Sequence, residues 1–400
     1  MLVLVLNAGS SSQKSCLYNL ETPLPDTPPE PLWEAHLDWT KSSDKGILTV
    51  KSNSIKKELE ITAKDRALET LLDTLITGDT KVLASLNKID VVGHRVVHGG
   101  SKYSQPTVIN AEVKQAIASF IPLAPNHNPS HLEGIETIEK LLPKTNQIAV
   151  FDTSFHTTIP EAAKVYPLPY KWYEKSIQRY GFHGISHQYC AQRTVQILQQ
   201  PLESLKIVTC HLGNGCSLAA INNGICIDTT MGFSPLEGLM MGTRCGSVDP
   251  QILIYMMQEY NLNTEEINRI LNKESGLKGV SGISADLRTI LAEREAGNDR
   301  AKLAFDIYIH YLKKAIASMV ASLNGLDALV FTAGVGENSA IVRHKTCKGL
   351  SYLGLQLDIN KNNAHPVDID IAADDSLPVL VIQTQEDWAI AIASYDLIVN

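Results

Sequence analysis

Residues 2–14 read LVLVLNAGSSSQK, an apolar run that stops abruptly in small and polar residues and then a lysine. Leu2 to Leu6 has the composition of a buried strand. Asn7, Gly9, Ser10, Ser12 and Lys14 then surround a backbone concavity, since glycine lets the chain approach a ligand and successive N–H groups form an anion site. Lysine in that setting neutralises a phosphate, and Asn7 suits a metal-bound water. The same succession recurs at 207–217, IVTCHLGNGCS, and at 328–338, ALVFTAGVGEN. One such turn reads equally well as a plain hairpin. Three of them point to a polyphosphate gripped from several sides. The chain has no Gly-x4-Gly-Lys-Ser/Thr, which excludes a P-loop, and Gly334-Val335-Gly336 lacks the third glycine of a dinucleotide fingerprint. That third turn is expected to precede a helix whose positive end faces a phosphate or nucleotide.

Working outward, Val3 to Leu6 and Lys14 to Leu20 flank the first turn as a hairpin, with further strands at Trp33 to Leu37, Gly46 to Lys51 and Asp90 to Val97. Asp65 to Ile76 carries Leu68, Leu71, Leu72 and Leu75 on one helical face. Ser130 with Glu133 has the pattern of a capping box. Glu21 to Pro31 is proline-rich and is expected to be an irregular surface excursion. Ile148 to Phe151 delivers Asp152 at a strand end. A second series of strands opens at Ile207 to Cys210, Cys216 to Asn222 and Ile225 to Asp228. Helices follow at Pro250 to Tyr260, Thr264 to Leu271, Arg300 to Leu323 and Ala340 to Leu350, with strands at Ala328 to Thr332 and Pro378 to Gln383 and a last helix near Asp387 to Leu397. The strand–turn–strand opening therefore occurs twice, roughly two hundred residues apart, which predicts a duplicated α/β domain with a nucleotide cleft between the copies. The expected domains are residues 1–151 with 385–400, and 152–384.

The 400 residues carry a formal charge of -8 and no cationic block, which argues against nucleic acid. No apolar run reaches the length of a membrane span, and Met1 to Leu6 reads as a strand rather than a signal peptide. The 7 cysteines form no Cys-x-x-Cys pair and fit reduced thiols in the cytoplasm.

Arg95, within GHRVVHGG (93–100), and Arg244, hemmed by Gly242 and Gly246, suit bidentate capture of carboxylate or phosphate; a surface ion pair is the plain alternative. His183 and His187 share GFHGISH (181–187), but the glutamate of His-Glu-x-x-His is missing, so His183 reads better as a donor to a phosphoryl group and His187 as a structural histidine. Asp152 and Glu386 each follow an apolar run, at the strand ends where open α/β sheets place ligands, and one or two such carboxylates suffice for magnesium shared with phosphate.

Together these stretches, with Phe151 to His156, Arg179 to His187 and Met231 to Arg244, resemble the acetokinase family of the acetate and sugar kinase, heat-shock chaperone and actin superfamily, in the family's order over nearly the whole chain. The resemblance implies two duplicated actin-like (ribonuclease H-like) domains, dependence on ATP and Mg²⁺ (Mn²⁺ as substitute), a cytoplasmic address, and homodimers joined through the C-terminal domains. It makes Asn7 and Glu386 the magnesium residues and Lys14 an ATP contact. Asp152, His183 and Arg244 become catalytic, the first as the family's acid and the others as transition-state stabilisers. Arg95 would bind the substrate carboxylate, and Val97, Phe182 and Pro235 would wall a methyl-sized pocket. His211, Leu212, Gly213, Asn214 and Gly215, then Asp286, Leu287 and Arg288, then Gly334, Val335, Gly336, Glu337 and Asn338 would line the nucleotide. The chain departs from the family at Asn126 (usually leucine), Ile185 (threonine), Ser247 (aspartate) and Asp387 (glutamate).

The expected reaction is reversible transfer of the γ-phosphoryl group of ATP to acetate, in line and direct, giving acetyl phosphate and ADP. Acetate is already an ionised nucleophile, so Asp152 is expected to orient a metal-bound water or an arginine rather than remove a proton. A propionate or butyrate kinase is the neighbouring alternative, and a nucleotide-gated actin- or chaperone-type ATPase is the alternative of a different class.

Overall fold

The computed structural model describes residues 1–9, 12–39, 45–63, 66–125 and 127–399. Ser10 and Ser11 of the first turn, Asp65 and Asn126 lie outside the described residues. The chain divides into two compact units, Met1–Ser154 with Gln385–Asn400 (unit 1) and Phe155–Thr384 (unit 2). The division falls between Ser154 and Phe155 and keeps Asp152 with the strand that delivers it.

Unit 1 is built on an eight-stranded sheet: β1 (Leu2–Ala8), β2 (Ser12–Asn19), β3 (Trp33–Asp38), β4 (Gly46–Ser52), β5 (Ile55–Ile61), β6 (Val91–Val96), β7 (Thr107–Val108) and β8 (Asn146–Phe151), in the order β5-β4-β3-β2-β1-β6-β8-β7. β1 to β5 form an antiparallel meander, whereas β6 runs parallel to β1 and β8 parallel to β6. β3 alternates buried and half-buried residues, as a strand with one covered face does, while β1 is buried continuously from Val3 to Asn7. One side packs Leu4, Leu17, Trp33, Leu37 and Leu48 against Leu71, Leu72 and Leu75 of the helix Ala67–Ile76, the face expected from its leucine spacing. The helix Glu386–Val399 packs against β1 and β6. That approach requires Gly93 in β6: a Cβ there would lie 2.4 Å from Ser394 Oγ and 2.8 Å from Ile390 Cγ2.

Unit 2 holds β9 (Lys206–Leu212), β10 (Cys216–Asn222), β11 (Ile225–Thr229), β12 (Ala328–Thr332), β13 (Ile369–Asp370) and β14 (Val379–Val381), in the order β11-β10-β9-β12-β14-β13. β9 to β11 again form an antiparallel meander, and β12 and β14 again continue in parallel. The succession β11-β10-β9-β12-β14 therefore repeats β3-β2-β1-β6-β8. The duplicated α/β architecture is present, and β4 and β5 are additions to the first copy. Along Asp299–Leu323, Phe305, Tyr308, Ile309, Leu312, Ile316 and Met319 recur at helical spacing and are buried.

Two local expectations are corrected. Ser130 does not cap a helix: the helix runs Asn128–Leu141 with His127 at its N-cap, and Ser130 turns its hydroxyl onto the His127 carbonyl at 2.8 Å. Pro129 suits that first turn because it has no N–H to leave unsatisfied. The third turn does not merely precede a helix. Ala333–Asn338 is itself a short helix directly after β12, with Ala333 in the left-handed region at φ 63°. The strands β5 and β7 and the helices Ala111–Ser119 and Gly184–Leu198 were not anticipated. Residues 21–31 form neither helix nor strand, as expected.

Candidate active site

In unit 1 the polar cluster sits where the parallel strands end. Asn7 is the penultimate residue of β1, Arg95 the penultimate residue of β6, and Asp152 directly follows β8. Glu386 and Asp387 begin the helix Glu386–Val399, where carboxylates are favoured by the aligned backbone dipoles. Both Arg95 Nε and Nη2 donate to Asp152 Oδ2, at 3.1 and 2.6 Å, and Nη1 donates to Asn7 Oδ1 at 3.2 Å. Glu386 Oε2 stands 3.9 Å from Arg95 Nη1. Asn7 Nδ2 donates to Asp387 Oδ1 at 2.7 Å and, more weakly, to Glu386 Oε2 at 3.5 Å.

Asp152 is 1% exposed and its Oδ1 has no hydrogen-bond partner among the described residues. Burial pushes its carboxyl above the ordinary value, with Arg95 pulling the other way and Glu386 adding to the rise. Burial also opposes the charge on Arg95, but Asp152 and Glu386 outweigh it and hold the guanidinium above its usual value. Asp387 is raised by burial, against the bond from Asn7 and the charge of Lys14. Lys14 itself lies opposite Asn7 in the β1–β2 register and is exposed. Val97 is buried just beyond β6, and its N–H donates to His131 Nδ1. No group of three or more His, Cys, Asp or Glu in a metal-holding arrangement occurs among the described residues. The orphaned, buried Asp152 Oδ1 beside Asn7 and Glu386 nevertheless has the donor chemistry of a hard cation or a water bound to one.

In unit 2 the second turn narrows to Gly213, Asn214 and Gly215, because β9 extends through Leu212 and β10 starts at Cys216. His183 is the N-cap of the helix Gly184–Leu198 and lies in the left-handed region at φ 58°, a conformation that costs a non-glycine residue energy. Its ring stacks on that of His211, centroids 4.1 Å apart, and its Nδ1 is 2.8 Å from Ser217 Oγ. His211 Nδ1 is 2.8 Å from Ser186 Oγ. Gly215 leaves room for two neighbours: a Cβ there would lie 3.2 Å from Arg244 Nη2 and 3.5 Å from His183 Cε1. Arg244 Nη1 donates to the Pro235 carbonyl at 2.6 Å, and burial lowers its pKa with Cys216 opposing. Among the described residues no carboxylate pairs with it, whereas Arg179 pairs with Glu237 and Arg193 with Asp368. Phe182 is buried, and its carbonyl lies 2.9 Å from His156 Nε2.

Asp286 caps the helix Leu287–Glu295 through the Arg288 N–H and also pairs with the exposed Arg288 side chain. Gly334 and Asn338 are exposed, Val335 and Glu337 half-buried, and Gly336 buried. Glu337 is turned inward, its Oε1 accepting from the Thr384 N–H at 3.0 Å. Arg343, 1% exposed, holds this segment from behind by donating to the carbonyls of Gly336 and Glu337, both at 2.8 Å, and to Asn362.

Unit 1 thus brings together Asn7, Arg95, Asp152 and Glu386, and unit 2 brings together His183, His211, Gly215 and Arg244. Reading the sequence missed Asp387, Ser217 and Arg343. Ser217 closes the quoted stretch 207–217 and Asp387 directly follows Glu386, but neither was given a role. Arg343 sits in a stretch with His344, Lys345 and Lys348, which reads as an exposed basic face and gives no sign that one member points inward.

Residues 2–392 match the Acetokinase family. The chain is 61% identical over 395 residues to the acetate kinase of Rippkaea orientalis, covering 98% of each chain. It is similar to the crystal structure of Porphyromonas gingivalis acetate kinase, with TM-score 0.91, 39% identity and 99% of each chain covered. It is also similar to that of a propionate kinase from Francisella tularensis, with TM-score 0.90, 38% identity and 99% of each chain covered. With residues 2–392 matching its model and 98% of the chain aligned at 61% identity to a relative, the chain belongs to the acetokinase family.

Proposed function

We propose that this chain transfers the γ-phosphoryl group of ATP reversibly to acetate, giving acetyl phosphate and ADP by direct in-line transfer. The observation that carries the reading is Arg244, a half-buried guanidinium with no carboxylate partner among the described residues, beside a glycine turn and the His183 ring. A cation kept in that state suits an anionic ligand. Acetate is ionised at neutral pH, so the barrier is repulsion between two anions rather than proton removal. Arg95 is assigned the acetate carboxylate, and Asp152 positions Arg95 through two bonds to one oxygen. Arg244 and His183 are assigned to the charge of the transferring phosphoryl group, a role in which an arginine contributes about 10³–10⁵ in rate. His211 to Gly215, Asp286 to Arg288 and Gly334 to Asn338 are assigned to the nucleotide, and Lys14 to its phosphates. Val97, Phe182 and Pro235 are assigned to the acyl group.

Asn7 and Glu386 are assigned to Mg²⁺, with Asp387 and the orphaned Asp152 Oδ1 beside them. A divalent cation there supplies neutralisation of phosphate charge. Two copies are proposed to pair through unit 2, since the helix Pro250–Glu259 buries none of its residues and exposes Ile252, Ile254, Tyr255 and Met257. A cytoplasmic address is proposed because all 7 cysteines are unpaired thiols; among the described residues no helix is long and apolar enough to cross a membrane.

The test is incubation with ATP, Mg²⁺ and acetate, propionate or butyrate, trapping acyl phosphate as hydroxamate. Product with acetate is expected, and no product with any acid overturns the reading. The likeness to a propionate kinase favours propionate as a second acceptor.

A further inference from the structure

Behind the turn of unit 2, four side chains form one line of hydrogen bonds. Ser217 Oγ lies 2.8 Å from His183 Nδ1 and 2.8 Å from His187 Nε2, and His187 Nδ1 lies 2.7 Å from Thr209 Oγ1. The fold sets this geometry. His183 and His187 are one helical turn apart, Thr209 and His211 alternate onto one face of β9, and Ser217 is the register partner of His211 on β10. Ser217, His187 and Thr209 are fully buried.

A hydroxyl carries one proton, so Ser217 donates to one imidazole and must accept from the other. The two tautomers are therefore linked. Burial, with His156 and His211 adding to it, lowers His187 well below its ordinary value, so this ring is neutral and carries a single proton. Two directions remain. If His187 holds its proton on Nδ1, it donates to Thr209, and the Thr209 proton has no acceptor: among the described residues that hydroxyl bonds only to His187. If His187 holds its proton on Nε2, every proton is used. Thr209 donates to His187 Nδ1, His187 Nε2 donates to Ser217, and Ser217 donates to His183 Nδ1. Leaving a buried donor unmade is penalised in full, which selects the second direction.

We propose that Thr209, His187 and Ser217 form a directional relay that fixes His183 as the tautomer with a bare Nδ1 and its proton on Nε2. All three are positioning residues. Resting on the role proposed above for His183, the relay makes this ring a neutral hydrogen-bond donor to the phosphoryl group and leaves the positive charge to Arg244. A cationic His183 would need a proton on Nδ1, and Ser217, already accepting from His187, would then have its own proton stranded. Ionisable groups among the described residues that face the line include His156 against His187, His211 against His183 and His187, and Arg244 across Gly215.

The test is ¹⁵N-histidine NMR on the full chain at neutral pH, with the two rings assigned by substitution. Both His183 and His187 are expected to show the Nε2–H tautomer. A proton on Nδ1 of His183, in either the neutral or the cationic ring, overturns the relay whatever reaction the enzyme catalyses. Thr209→Val and Ser217→Ala are expected to yield mixed tautomers at His183 and a kcat about 10- to 100-fold lower, with KM values moved far less. Thr209→Ser, which keeps the hydroxyl, recovers most of the loss. A single Nε2–H tautomer and unchanged kcat in Thr209→Val would sink the proposal. Should the variants not fold, the wild-type spectrum decides alone. Failure to form any acyl phosphate, by contrast, removes the assigned reaction and leaves the spectrum to judge the relay.

Discussion

Replacing Arg95 by leucine should convert Asp152 from a paired carboxylate into a pH-dependent liability. The Asp152 side chain is 1% exposed, takes both Arg95 bonds on Oδ2 and none on Oδ1. Without the guanidinium it keeps no side-chain donor among the described residues, and two routes are open to it. Remaining charged and unpaired costs about 3–5 kcal/mol. Taking up a proton costs about 1.4 kcal/mol for each pH unit above the ordinary carboxyl value near 3.9, which amounts to about 5 kcal/mol at about pH 7.5 and only about 1.5 kcal/mol at about pH 5. The protein takes the cheaper route, so the loss of stability should be about 1–2 kcal/mol at about pH 5 and about 3–5 kcal/mol at about pH 7.5. The sign follows from linkage. In the variant the folded pKa of Asp152 lies above its unfolded value, so stability is retained below the unfolded pKa and lost as pH rises through the folded one. Urea denaturation of the native chain and Arg95→Leu across this pH range measures the difference. Adding Asp152→Asn in the same background removes the ionisable group and should abolish the extra slope. Parallel curves for wild type and Arg95→Leu, or a slope that survives in the double variant, would refute the argument.

Three further outcomes can be checked. Of His183→Ala and His183→Gly, the glycine variant should be more stable by about 1 kcal/mol because the backbone there is left-handed, while both lose about 10²–10³ in kcat, as comparable transition-state donors do; an alanine variant of equal or greater stability in thermal melts would contradict this. Arg343→Met leaves the Gly336 and Glu337 carbonyls and Asn362 without their donor, so a loss of about 2–4 kcal/mol by denaturant titration and a raised KM for ATP are expected; an unchanged KM would show that this segment does not shape nucleotide binding. Gly215→Ala should push the Arg244 guanidinium by a few tenths of an ångström and lower kcat about tenfold in steady-state assays, with little change in the melting temperature.

Much of this arrangement was legible because it is local. A run such as Leu2 to Leu6 followed by Asn7 and Gly9 announces a buried strand and a functional turn without knowledge of the rest. Arg244 between glycines and Asp152 after an apolar run carry the same kind of signal. Partner choices were not legible. Nothing in the sequence says that Arg95 sends two bonds to one oxygen of Asp152, or that Asn7 prefers Asp387 to Glu386. Those follow from strand register and from where the last helix starts. The relay shows the limit well: His183 and His187 were visible as a helical pair, but Ser217 and Thr209 join them only once β9 and β10 are aligned. Ser130 erred in the other direction, since a valid capping pattern was overridden by a helix that begins earlier at Asn128.

The close fit of Ser394 and Ile390 over Gly93 bears on the order in which the protein is synthesised. Residues 1–154 emerge from the ribosome first, yet the helix that covers β1 and β6 and supplies Glu386 and Asp387 is translated only after all of unit 2. At about 5–20 residues per second, that leaves the nascent first sheet without its cover for roughly 10–50 seconds. Unit 2 is contiguous and has no such wait. The half of the molecule that is made first is therefore the half that finishes last, and it must spend the interval with an apolar surface exposed to other chains.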